Sequence, residues 1–337
     1  MNRHMAKRAA RKTGTAALAA MLLAAAAIAG CREPAPSRES VSAAPEAEAL
    51  PRRTFGIIYP MADVYYEAVT ESAARAAESA GVRLIIKAPD EASLEQQIRM
   101  METMIKQGVE GIAISPIDSE ALGPLIDKAA EAGIPVICFE SDAPDSRRLS
   151  YIGTDNIGAG ERMGRAIDEL LKGRGMVLVS TGQSDSLNLR ERLEGFLGYI
   201  HRETNIDVLE VRYHQGVPEQ ALADLEGMID DHPHFDAFVA LDFVSGAASI
   251  LVWKAMGLNR YALTFGLMPE IAEAVRNGQI TMAVSLNEHR WGALIVEHLL
   301  KACEGEEIPE FLDTGISLVD IHAIESGEGM VETEPSD

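Results

Sequence analysis

The sequence predicts an α/β protein built on parallel sheets that divide between two lobes. Three observations carry this. From Thr54 onward, apolar runs of strand length alternate with helical stretches of about 12 to 18 residues, the rhythm of βαβ units. The strand runs are continuously apolar, as in sheets covered on both faces. The alternation gives ten or more strands, and one sheet that wide is uncommon, so two sheets are expected. Their strand ends could then face each other across a cleft.

The elements follow in order. Residues 55–59 (Phe-Gly-Ile-Ile-Tyr) form a strand. A helix over 64–80 stops at Gly81, a suitable C-terminal cap. A strand at 82–86 leads to a helix carrying Leu94, Ile98, Met101 and Ile105, all on one face packed on a sheet, and ending at Gly108. Next come a strand at 111–114, a helix at 121–132 closed by Gly133, and a strand at 135–139. The second half repeats the pattern, with strands at 149–153, 175–180, 207–212, 236–241, 261–266 and 280–285. Its helices fall at 157–172, 189–203, 218–231, 244–256, 269–276 and 289–303. Ligands of such sheets bind beyond the carboxyl ends of the strands.

The amino terminus speaks to compartment. Arg3, Lys7, Arg8, Arg11 and Lys12 precede an apolar run over 15–30, the layout of a secretory signal. That run is shorter than the roughly 20 residues a membrane-spanning helix needs. It ends Ile28-Ala29-Gly30-Cys31, which resembles the lipobox of bacterial lipoproteins, so cleavage before Cys31 and lipidation of its thiol are expected. The acyl chains would anchor the protein without spanning the bilayer. Pro34, Pro36, Pro45 and Pro51 mark residues 31–53 as a flexible tether. The Gly- and Glu-rich stretch at 326–337 reads as a disordered acidic tail.

The full chain carries a net charge of −22. Residues 1–30 hold five Lys/Arg and no Asp/Glu, so loss of the leader leaves roughly −27. Such a charge argues against nucleic acid and anionic lipid surfaces as partners. Beyond Cys31 there are two cysteines, Cys138 and Cys303. A disulfide between them is open in an oxidising compartment; their apolar surroundings favour buried free thiols.

Four stretches carry a family resemblance: Gly-Ile-Ala-Ile-Ser-Pro-Ile-Asp-Ser at 111–119, Ala-Gly-Ile-Pro-Val-Ile at 132–137, Tyr-Ile-Gly-Thr-Asp-Asn at 151–156, and Arg-Glu-Arg-Leu-Glu-Gly-Phe at 190–196. With them, residues 55 to about 325 resemble the periplasmic sugar-binding proteins of the ribose/galactose type, which share their fold with LacI-type effector domains. The resemblance implies two doubly wound parallel-sheet lobes joined by a three-strand hinge (periplasmic binding protein type I). Crossings are implied near 154–156, 286–288 and 312–315. The amino-terminal lobe would be 54–154 plus 287–313, and the carboxyl-terminal lobe 155–286 plus 314–325.

A sugar site needs polar groups for hydroxyls and aromatic rings for the apolar face. Tyr65 and Tyr66 stand past the first strand's carboxyl end, where the family places a stacking aromatic pair. Asp63 aligns with a polar family contact; it could equally cap the helix that follows. Glu140 matches a position that is often Asp in the family, against the alternative of a solvated loop carboxylate. Arg190 opens the Arg-Glu-Arg stretch and is expected to donate to the ligand through its guanidinium fork, with Arg192 in a surface ion pair. Asp242 faces the cleft in this alignment, and Met268 and Asn287 stand at or beside further family contact positions. Leu241, Met268 and Leu286 replace polar family residues, so a ligand less hydroxylated than a plain pentose or hexose is expected. Trp291 could line the cleft; Trp253 reads as core.

No site for an enzyme emerges. Gly158-Ala159-Gly160 lacks the third glycine of a dinucleotide fingerprint. His232-Pro233-His234 lacks a third metal ligand nearby. No nucleophile elbow appears. No cofactor and no metal are expected. The reading is an exported, lipid-anchored, monomeric solute-binding protein of the periplasm or cell envelope. It would capture a sugar-like ligand by hinge closure and deliver it to an ABC permease. The alternative partner is a chemoreceptor or sensor kinase.

Overall fold

The computed structural model describes residues 53–326. The leader, Cys31, the tether before Arg53 and the tail after Ser326 lie outside the described residues. The first half runs β1 (Thr54–Ile58), α1 (Glu67–Ala80), β2 (Arg83–Lys87), α2 (Leu94–Gln107), β3 (Gly111–Ile114), α3 (Ser119–Glu131), β4 (Val136–Phe139), β5 (Ser150–Gly153) and α4 (Asn156–Leu171). It continues β6 (Arg174–Thr181), α5 (Leu187–Glu203), β7 (Asn205–Tyr213), α6 (Pro218–Asp231), β8 (Ala237–Ala240), α7 (Phe243–Met256), β9 (Tyr261–Phe265) and α8 (Pro269–Arg276). The chain then forms β10 (Met282–Ser285), α9 (Trp291–Glu304), β11 (Phe311–Asp313), β12 (Ser317–Val319) and α10 (Ile321–Ser326).

The strands make two six-stranded sheets, in the orders β2-β1-β3-β4-β5-β11 and β7-β6-β8-β9-β10-β12. All neighbours are parallel except β12, which runs antiparallel to β10. The two-sheet α/β architecture expected from the alternating pattern is therefore present. Both sheets belong to one compact unit of the chain. The strands β3, β4 and β8 are buried along their whole length, which is why they read as unbroken apolar runs.

Three details differ from the expectations. Residues 64–66 form a 3-10 turn ahead of α1, because Asp63 caps Tyr65 N–H and tightens the entry. The buried face of α2 centres on Gln97, Met101 and Met104, leaving Leu94, Ile98 and Ile105 half-buried at its flank. Gln97 was hidden from an apolar count: its amide donates to Tyr59 O (3.1 Å) and Ser115 O (2.7 Å) and accepts from Ile117 N (3.2 Å), tying the ends of β1 and β3. Ser326, read as the start of the tail, is the last residue of α10.

Cys138 and Cys303 are free thiols. Cys138 lies buried on β4, whereas Cys303 is half-exposed on the last turn of α9 and donates to Glu110 O at 3.2 Å. Burial pushes both thiols above the usual range.

The chain passes between the sheets after β5, after β10 and between β11 and β12. One residue ties the three passages. Thr314 Oγ1 lies 2.9 Å from Gly153 O and 3.0 Å from Leu286 O and accepts from Trp291 Nε1 at 3.2 Å. Asn287 adds a second tie, donating to Thr314 O at 2.8 Å. Replacing the hydroxyl with a methyl strands a buried indole N–H, a loss worth about 1–3 kcal/mol. Thr314→Val is therefore expected to lower the unfolding free energy of the full chain by that amount in urea titration, moving the midpoint down without changing the slope. A midpoint equal to wild type would show that the knot contributes nothing.

Candidate ligand-binding site

The carboxyl ends of both sheets meet at a cleft. From the first lobe, the 3-10 turn at 64–66 brings Tyr65 and Tyr66 beyond β1. Tyr66 stacks on Tyr59 (4.6 Å between centroids, 18°) and its hydroxyl donates to Glu140 Oε2 at 2.8 Å. Ser115, just past β3, donates to the same oxygen at 2.9 Å. Glu140 follows β4 in a left-handed conformation (φ 61°) that is unfavourable for a residue with a Cβ. Flanking bonds hold it there: its N–H donates to Ile152 O, and its carbonyl accepts from the Tyr151 hydroxyl at 2.9 Å. Burial raises the Glu140 carboxyl pKa, and the bonds from Tyr66 and Ser115 with the charge of Arg192 offset only part of that rise.

From the second lobe, α5 presents Arg192, which is 3% exposed. Its Nε donates to Asn156 Oδ1 (2.9 Å), its Nη1 to Leu241 O (3.2 Å), and the guanidinium lies over the Phe265 ring. Its Nη2 is buried without a partner. Close approach of α4 to α5 sets this position: a Cβ on Gly160 would overlap the Arg192 carbonyl, and one on Gly195 the Ile157 carbonyl. The Gly158-Ala159-Gly160 stretch thus serves helix packing.

Beside Arg192 sits a buried polar network. Asp242 caps α7 through Ser245 N (2.9 Å) and accepts from Ser245 Oγ (2.7 Å) and His214 Nε2 (3.1 Å). Ser245 Oγ also reaches His214 Nε2 (3.0 Å) and Ser180 Oγ (3.0 Å). His214 Nδ1 accepts from Gly216 N–H at 3.1 Å. Serine and aspartate therefore meet the same imidazole nitrogen, and the other nitrogen is taken by backbone. A proton relay through the ring, as in a serine nucleophile, is not built here.

Aromatic rings close the cleft. Tyr65 stacks on Phe243, one ring from each lobe, at 4.4 Å and 7°. Next to this stack is a cavity of ≈ 50 Å³ lined by Tyr66 and Glu140 on one side and Asn188, Arg192, His214 and Asp242 on the other. Small-molecule sites usually span about 300–1,000 Å³, so entry of a ligand requires the lobes or Phe243 to move.

Several expected site residues sit elsewhere. Arg190 is exposed, and Arg192 takes the buried place assigned to it. The cause is helical phase: Asn188, Arg192, Gly195 and Tyr199 share the buried face of α5, and two residues of offset turn Arg190 about 200° away. Asn287 is spent on the hinge, bonding Thr314 O and Ser317 Oγ. Asp63 takes the capping alternative and does not line the cavity. Met268 is buried at the cleft rim, in grooves that flank Tyr65 and Phe243. Leu241, Leu286 and Trp291 are core residues, and the second lobe's wall mixes polar Asn188, Arg192, His214 and Asp242 with apolar Leu189, Phe243 and Val244. Ser115, Asn188, Arg192, His214 and Phe243 were missed as lining groups. The spacing 188, 192, 195, 199 was the signal for two of them; His214 and Phe243 had only their strand-end positions.

Among the described residues no group of His, Cys, Asp and Glu could hold a metal ion, and no helix is long and apolar enough to cross a membrane.

Two α/β lobes meeting at their strand ends, with opposite charges facing across a hinged cleft, define a ligand-capturing protein of the venus-flytrap kind. Residues 55–307 match the periplasmic binding protein domain, and the chain belongs to that family. The D-ribose/D-allose-binding protein of Pseudomonas aeruginosa is 26% identical over 174 residues, covering 50% of this chain and 54% of that protein. With that relative the match thus spans about half of its length. The ribose import binding protein RbsB of Escherichia coli is 21% identical over 285 residues, covering 84% of this chain and 96% of that protein. The crystal structure of an ABC transporter solute-binding protein from Burkholderia graminis, in complex with D-arabinose, superposes with a TM-score of 0.78. It is 28% identical, covering 81% of this chain and 97% of that one.

Burial pulls the His214 pKa down, but the charge and hydrogen bond of Asp242 outweigh it and leave the imidazole above its usual value. Burial likewise pushes Asp242 up, and His214 with Ser245 draws it below the usual range. A raised histidine stabilises the fold fully below its unfolded pKa of about 6.5 and loses that contribution as pH rises through the folded value. Asp242→Asn is expected to bring the His214 titration, followed by NMR, below its wild-type midpoint. It should also flatten the loss of stability above neutral pH. A His214 midpoint that does not move would refute the coupling.

Proposed function

We propose that this protein is a lipid-anchored, monomeric solute-binding protein that captures a neutral monosaccharide by hinge closure and hands it to an ABC importer. It binds and does not catalyse. One observation carries the reading: Arg192 Nη2 is buried and unpartnered beside a cavity whose opposite wall carries Glu140. A sugar offers what both need, since a hydroxyl oxygen can accept from the guanidinium while a neighbouring hydroxyl donates to the carboxylate. Tyr66 and Phe243 supply ring faces for the apolar side of a pyranose. Asn188, Arg192, His214 and Asp242 give the second lobe's wall partners for several hydroxyls, which favours a ligand richer in hydroxyls than the replacements at 241, 268 and 286 alone suggest. The sugars named for the relatives, ribose, allose and arabinose, are fully hydroxylated, which supports that reading.

Calorimetry of the full chain with D-ribose, D-arabinose, D-xylose, D-glucose and D-galactose tests this, and at least one is expected to bind. Arg192→Ala should weaken binding at least about tenfold, the value of one charge-assisted hydrogen bond. Arg192→Lys, which keeps the charge and the fold but loses the fork, should fall between. Arg190→Ala should stay within about twofold of wild type, a change below roughly 0.5 kcal/mol. Silence with all five sugars removes the sugar reading, and equal losses at Arg190 and Arg192 remove the site.

The leader over residues 1–30, followed directly by Cys31, supports export and anchoring. Mass spectrometry of protein from its native membrane should find diacylglycerol on Cys31, and Cys31→Ser should release the protein into the soluble fraction. An unmodified Cys31 would contradict the anchor.

A further inference from the structure

We propose that Glu288 is a closure latch, a positioning residue that binds the first lobe to the second through the loop between β9 and α8. The idea deepens the ligand-capture reading and rests on it for the binding half of its test. Glu288 opens a 3-10 turn at 288–290 that packs on α1 and continues into α9, so it travels with the first lobe. It is 5% exposed, and among the described residues no cation lies within ion-pair distance of its carboxylate. A buried carboxylate so placed needs donors to offset its desolvation. It has three. Oε1 accepts from Leu267 N–H at 3.0 Å, and Oε2 accepts from Ser285 Oγ and Leu286 N–H, each at 3.0 Å.

The donors decide the role. A group that merely capped its own turn would bond neighbours only. Ser285 ends β10 and Leu286 follows it at the hinge, but Leu267 lies 21 positions away, in the second lobe's loop after β9. That bond spans the two bodies that separate when the cleft opens. Asn287, left-handed at φ 55°, and its bond to Thr314 O fix the turn that aims the carboxylate at Leu267. The loop it grips continues into Met268, which packs at the cleft rim beside Tyr65. Rotation at 285–287 thus makes or breaks a contact to the cleft wall itself, through one side chain.

The test compares Glu288→Gln and Glu288→Ala with wild type in the full chain. Hydrogen exchange without ligand should speed up at the Leu267 and Leu286 amides at least about tenfold in the alanine variant, with the glutamine variant intermediate because it keeps one acceptor oxygen. Dissociation of D-arabinose should accelerate about tenfold, equal to about 1.4 kcal/mol, while association stays within about twofold. A simple structural defect would instead speed exchange throughout the chain and lower the urea midpoint without separating the two rates, and that result overturns the latch. So does wild-type exchange at Leu267 in the alanine variant. If wild type does not bind D-arabinose, that ligand is wrong, and the exchange of Leu267 still decides the latch.

Discussion

The hydroxyl of Thr314 is the point on which this molecule turns. It stands where all three interlobe passages converge and contacts a carbonyl of each of the other two. It has one proton and two acceptors, Gly153 O and Leu286 O, so it donates to one at a time while taking the Trp291 indole N–H. Each lobe can be rigid, with its own covered sheet, only because the strain of relative motion is confined to these few residues. The two sheets share no strand pairing. At the hinge their carboxyl edges are tied by this side-chain and backbone knot, with Asn287 and Thr154 as further ties.

From the knot, a chain of hydrogen bonds reaches the chemistry. Arg192 Nε donates to Asn156 Oδ1, Asn156 Nδ2 donates to the Tyr151 hydroxyl at 3.1 Å, and that hydroxyl donates to the carbonyl of Glu140. Arg192 belongs to the second lobe and Glu140 to the first, with Asn156 at the passage between. Arg192 and Glu140 are thus referenced to each other through the hinge as well as across the cavity. The left-handed backbone of Glu140 belongs to the same design, since it points the carboxylate inward at a place where an extended residue would continue the strand.

The fold was legible because its signals are redundant. β3 and β4 are apolar at every position, and their short length just after Gly108 and Gly133 marks them as covered strands, while Gly81 and Gly108 mark helix ends with left-handed caps. β11 and β12 were not legible as strands: they have three residues each and carry charge or exposure, and tertiary pairing alone defines them. The site was legible only where position decides role. Glu140 and Asp242 reach the cleft because a strand ends just before them, and Tyr66 because the turn at 64–66 carries the chain beyond the end of β1. Arg190 failed because a helix has a phase, and a motif of two arginines two residues apart does not say which one faces inward. Asn287 failed for a different reason, since a hinge amide and a ligand amide look alike until their partners are known. Gln97 shows the converse, a polar residue on the most buried face of α2 that an apolar pattern passes over.

The stack of Tyr65 on Phe243 carries a consequence for how the protein reports. An aromatic pair of this geometry is worth about 0.5–1.5 kcal/mol beyond its buried area, a factor of roughly 2 to 10 in a two-state balance. Closure therefore has a source of energy that no solute supplies. A membrane partner that reads only the shut shape would receive a background of false deliveries set by those two rings. The same rings form a dial for that noise: trimming one would sharpen the contrast between loaded and empty while asking the solute to contribute more of the work.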